Sequence, residues 1–159
     1  MQQFGPEYWD KNGLYRAPLG FKLCLVFILK PYILWLFAAA SRREDLNLMA
    51  IFYPNKNDFF IALGLGVLAI VLLVCYLLRK PNTVQWPKAI WRYGRAILLV
   101  SLVVDLAWLI WQAKQSYFAF STTLAVPIVF ACWALLYVMK SRYLRAYFAE
   151  WPELDKTVD

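Results

Sequence analysis

Residues 59–78, FFIALGLGVLAIVLLVCYLL, run for twenty positions without a charge, closed by Asp58 on one side and Arg79-Lys80 on the other. As a helix rising 1.5 Å per residue this run is about 30 Å long, the thickness of a bilayer's hydrocarbon core. No rotation of the segment yields a polar face, which a soluble surface helix would need. The run predicts a transmembrane helix, and it fixes the class of everything around it. The 159 residues are 62% hydrophobic, with a mean hydropathy of +0.51, and leave room for one small integral membrane domain over 1–159.

Three more segments have the composition of spans, at about 19–40, 93–112 and 117–139. The first is apolar except for Lys22, which can snorkel to the interface, and Lys30 at its middle. Pro31 follows Lys30, removes a backbone donor and predicts a bend. In the third span Ser101, Asp105, Trp108 and Gln112 are spaced four, three and four, one stripe of a helix that should face protein. In the fourth, Ser121, Thr122 and Thr123 stand a turn before Pro127, which leaves the Thr123 carbonyl without its usual partner. Within 59–78, Ala62 and Gly66 form a small-xxx-small pair and Gly64 adds a further missing side chain, inviting close approach of a neighbouring helix. The tail from Ser141 to Trp151 sets Tyr143, Leu144, Tyr147, Phe148 and Trp151 on one face and Arg142 and Arg145 off it, as an interfacial helix would. The expected architecture is an all-α membrane protein: a four-transmembrane-helix bundle with an amphipathic C-terminal interfacial helix at about 141–151. The mixed polar and aromatic first eighteen residues do not suit a signal peptide, so the N-terminus is expected to be retained.

The charge of +7 could suggest nucleic acid, but the basic residues flank apolar segments and form no separate module. They read as topology signals and contacts to anionic lipid. With no histidine, the commonest general base and metal ligand is missing. Cys24, Cys75 and Cys132 fall inside spans without metal-ligand spacing and are expected as free thiols. No phosphate loop, zinc-protease or nucleophile-elbow motif occurs. We therefore expect no enzyme, no catalytic, cofactor-binding or metal residue, and no cofactor.

The order Tyr8-Trp9-Asp10-Lys11-Asn12-Gly13-Leu14-Tyr15-Arg16-Ala17-Pro18-Leu19, a basic residue before Pro31, Ser41-Arg42, Phe52-Tyr53-Pro54-Asn55 and Arg79 resembles the YfeZ-type inner-membrane proteins of gammaproteobacteria. That family is a domain of unknown function. The resemblance implies a bacterial inner-membrane protein with several spans and carries over no site residue.

Charges inside the membrane are the features that remain. A lone cation or carboxylate near the bilayer centre costs about 2.5–3.5 kcal/mol on the insertion scale. Lys30 lies eleven residues after Leu19 and Asp105 ten after Arg95, depths of about 16 and 15 Å in parallel spans. The two are predicted to pair, with Ser101, Gln112, Thr122 and Thr123 as supporting polar groups. Twelve basic residues at the N-terminus, in 79–95 and in the tail oppose four in 41–58 and at Lys114. Both termini are therefore expected in the cytoplasm. The partners expected are the bilayer and either another membrane protein or a second copy, with no nucleic acid. The expected function is a non-catalytic accessory or scaffold subunit; the alternative is ion, proton or solute transport by an oligomer through Lys30 and Asp105.

Overall fold

The computed structural model describes residues 15–40, 53, 55–79, 86–115, 117 and 122–151. Among these the chain forms seven helices: α1 (Leu19–Ile28), α2 (Lys30–Ala40), α3 (Lys56–Leu77), α4 (Trp86–Arg92), α5 (Gly94–Gln115), α6 (Thr122–Lys140) and α7 (Arg142–Ala149). Three of them, α3, α5 and α6, are long and apolar enough to cross a membrane. The pair α1 and α2 meets the same test together, bent by 64°.

That bend has the cause Pro31 implies, although it divides the expected first span into two helices. Proline offers no N–H to the turn before it. The ladder restarts from Leu29, whose carbonyl accepts from the N–H groups of both Tyr32 and Ile33 at 3.0 Å. Lys30 is thus the first residue after the joint.

Helix α3 buries Phe59, Ala62, Gly66, Ala69, Leu72 and Cys75 along one side. Asp58 sits in its first turn, the favourable end of the helix dipole for an anion. Gly66 is where the small side chain matters: a Cβ there would lie 2.6 Å from the Tyr32 ring, and the Tyr32 hydroxyl donates to the Leu63 carbonyl at 2.6 Å. Gly64 takes no part, since nothing lies within 4 Å of where its Cβ would be.

The stretch before the third span forms its own short helix, α4, with Pro87 and Trp91 buried. The chain turns at Tyr93, whose N–H donates to Ile90 O at 3.0 Å, and α5 begins at Gly94. A side chain at Gly94 would collide with the Phe148 ring. Helices α5 and α6 pack along each other as the expected hairpin. Helix α6 runs from Thr122 to Lys140, and Tyr117, the expected start of the fourth span, is an exposed turn residue with φ of 52°.

Ser141 separates α6 from α7, its Oγ accepting from Leu144 N at 3.1 Å. Leu144, Tyr147 and Phe148 are buried, while Arg142 and Arg145 are exposed, as the tail's pattern suggested. The cover for this face comes from the chain itself. Phe21 of α1 meets Phe148 at 5.4 Å and Tyr147 at 5.7 Å between ring centroids, and Trp91 meets Phe148 at 4.8 Å. Offset and edge-on aromatic contacts of this kind add to the burial they accompany.

Candidate functional site

Lys30 and Asp105 meet where the broken helix faces α5. The Lys30 ammonium lies 3.1 Å from Asp105 Oδ2 and 3.5 Å from Oδ1. The carboxylate side chain is 8% exposed and the lysine 24%, so the pair is buried at the acid and open at the base. The Phe27 ring, one turn back, adds its face 4.2 Å from the ammonium. The Ser101 hydroxyl is buried a turn before Asp105 but donates to Ile97 O of its own helix at 2.8 Å. One turn after Asp105, the buried indole nitrogen of Trp108 has no hydrogen-bond partner among the described residues.

A cavity of about 250 Å³ opens beside the lysine, lined by Lys30, Tyr53, Gln112, Thr123 and Pro127 together with aliphatic side chains. Thr122 is exposed and does not contribute to this lining. Tyr53 is the contributor that sequence reasoning missed. It precedes α3 and packs edge-on against Phe59 at 5.6 Å; burial first, and then the Asp105 carboxylate, push its phenol pKa upward, so it stays protonated. The cavity thus offers an ammonium, a phenol, an amide and a hydroxyl on an apolar wall. Those groups can hold a small polar solute, or relay a proton to and from the pair. Among the described residues, no three His, Cys, Asp or Glu side chains gather as a metal centre would require.

A second ionic knot lies at the end of α3. Arg79, with a side chain 6% exposed, pairs with Glu150 at 3.6 Å. It also donates to Tyr15 O and to Glu150 O, each at 3.2 Å. Glu150 Oε2 accepts from Tyr15 N at 2.9 Å, and the Tyr143 hydroxyl donates to Arg16 O at 2.6 Å. The guanidinium rests over the rings of Tyr147 at 4.4 Å and Trp91 at 5.4 Å. Sequence reasoning places Arg79 at the end of a span and among the residues that carry the family resemblance, but gives it no partner.

Three helices long and apolar enough to cross a bilayer, with a bent pair that passes the same test together, are those of a helical integral membrane protein. The chain matches the family described as "Protein of unknown function (DUF2919)" over residues 4–150, and it belongs to that family. It is 30% identical over 150 residues to "Inner membrane protein YfeZ" of Escherichia coli (strain K12), an alignment covering 93% of this chain and 95% of that protein. No solved structure matches it.

Proposed function

We propose that this chain is a non-catalytic four-span subunit of the bacterial inner membrane, with both termini in the cytoplasm, that works by binding another membrane protein. The relative named as an inner-membrane protein supports the location. The hydrogen bond between Tyr15 and Glu150 supports the span count. Segments near residues 15 and 150 that touch lie on one side of the membrane, which fits an even number of crossings between them and so the jointed pair α1 and α2 taken as one. The excess of basic residues on that side supports the cytoplasm.

The observation that carries the reading of function is how the polar side chains between elements are used. Lys30 joins α2 to α5, Arg79 joins α3 to both ends of the described chain, Tyr32 joins α2 to α3, and Arg95 donates to Val138 O and Met139 O at 3.1 and 2.8 Å. Each joins one element to another, as in a rigid scaffold. Meanwhile α2 buries only Pro31 and leaves Trp35, Leu36 and Phe37 more than half exposed. That surface is open to a neighbouring span. Affinity capture from membranes in mild detergent tests the reading: one heterologous membrane protein should co-purify in fixed stoichiometry. Recovery of the chain alone, or only with copies of itself, overturns it.

The cavity beside Lys30 favours a second reading, in which an oligomer passes a proton or small solute along the Lys30–Asp105 pair. Solute or proton flux in liposomes holding only this chain, abolished by Asp105→Asn, would replace the first reading with the second.

A further inference from the structure

At the end of the bundle where α4 meets α7, a groove of about 630 Å³ is edged by Lys88, Arg92, Arg95 and Arg145 and floored by Trp91, Phe148 and Trp151. Lys88 and Arg92, at i and i+4, share one side of α4, and Arg95 follows at the start of α5 after the turn at Tyr93. The fourth comes from α7, fifty residues later. Like charges on one helix side repel, and folding has brought another cation to face them. Among the described residues, no carboxylate lines the groove. Arg95 is held in place from below, its guanidinium donating to the carbonyls that end α6.

The groove lies where α4 leads into α5 and where α7 follows α6, the ends of helices that in a bilayer would reach the headgroups. Its floor is aromatic and its rim cationic. That combination fits a group with a phosphate at one end and apolar chains at the other. We infer that this groove is a binding site for an anionic phospholipid, with the phosphodiester among Arg92, Arg95 and Arg145 and the glycerol and upper acyl carbons on Trp151. Guanidinium forks suit phosphate oxygens geometrically, and the aromatic rings suit the interfacial depth. The inference needs the groove to lie at a membrane surface and is indifferent to which leaflet; it stands or falls apart from any protein partner.

Native mass spectrometry of the full chain, purified in a neutral detergent and titrated with phosphatidylglycerol or phosphatidylcholine, provides the test. One phosphatidylglycerol should be retained in preference to phosphatidylcholine. The double variant Arg92→Gln with Arg145→Gln should weaken that retention by roughly tenfold or more, given the share of anionic-lipid affinity a basic residue carries. The variant Arg92→Lys with Arg145→Lys keeps the charge and should retain most of it, and melting curves of both variants should confirm that they fold. Lys56→Gln, at the start of α3 and outside the groove, should leave retention unchanged. Equal retention of the two lipids, or indifference to the double Gln variant, overturns the inference. So does equally tight binding of glycerol 3-phosphate, which would make the groove a site for a soluble phosphate.

Discussion

The main-chain N–H of Tyr15 donates to Glu150 Oε2 over 2.9 Å, a bond between residues 135 positions apart in the chain. Arg79 closes the triangle by binding both residues. Three segments distant in sequence are thereby tied at one end of the bundle, so the knot acts as a clasp on the whole fold. Glu150→Ala should lower stability by about 1–3 kcal/mol, the cost of leaving a buried donor unsatisfied. Arg79→Ala should do the same. Because the two share one network, the double variant should melt no lower than the worse single variant. Thermal melting in detergent reads all three, and additive losses would mean that the residues act separately.

The proposed topology predicts that a reporter active only in the periplasm stays silent when fused after Asp159 and is active when inserted after Arg43. Strong activity at Asp159 would place the C-terminus outside the cytoplasm and overturn the proposed topology.

For the pair in the membrane, Lys30→Ala or Asp105→Ala should reduce the amount of folded protein, since each strands its partner in a low-dielectric setting. The exchange Lys30→Asp with Asp105→Lys should recover part of the loss. Abundance of the membrane-inserted form by fluorescence-detected gel filtration measures this. An exchange no better than the worse single variant, with no cross-link between cysteines at 30 and 105, would rule the pairing out.

Gly64 and Gly66 provide an internal comparison. Gly66→Ala drives a methyl group into the Tyr32 ring and should cost about 1–3 kcal/mol by overpacking, with partial recovery on adding Tyr32→Leu. Gly64→Ala enters open space and should be neutral or mildly stabilising through helix propensity. Equal effects at the two positions would deny the contact between α2 and α3.

Tyr147 makes stability depend on alkaline pH. Burial pushes its phenol pKa up to about 12, against the opposing pull of the Arg79 charge. Its hydroxyl has no hydrogen-bond partner among the described residues. A group raised above its unfolded value of about 10 contributes stability that is intact below that pH and lost as pH climbs toward the folded value. The melting temperature should therefore fall between about pH 10 and 12. Tyr147→Phe should flatten this decline without lowering stability at pH 8, and an unchanged alkaline decline would place its origin elsewhere.

The long elements were legible because an uninterrupted apolar run has one solution in a bilayer. Lys30 and Asp105 stood out for the same reason, since the surrounding composition makes a charge costly and depth can be counted along a helix. The Arg79–Glu150 clasp was not legible. Arg79 borders a polar loop where a cation needs no explanation, and its partner lies 71 positions away. Tyr53 was hidden likewise, because nothing in Phe52-Tyr53-Pro54 tells which cavity its ring enters. In the tail the apolar stripe was readable from its spacing, but what covers it depends on Phe21 and Trp91 from other helices. The small residues of α3 show the same limit: Gly64 and Gly66 differ only in which side of the helix meets Tyr32.

The joint at Leu29 also bears on the lipid around the molecule. Two rigid pieces of 10 and 11 residues set at 64° span about 27 Å from end to end, whereas the 22 residues of α3 extend about 33 Å. As a crossing, the jointed pair is shorter than a hydrocarbon core of about 30 Å. Under the proposed topology the surrounding bilayer thins beside it or flanking side chains snorkel, while α3 meets the opposite mismatch and tilts. One molecule would then carry two mismatches of opposite sign, with Lys30 on the shorter crossing.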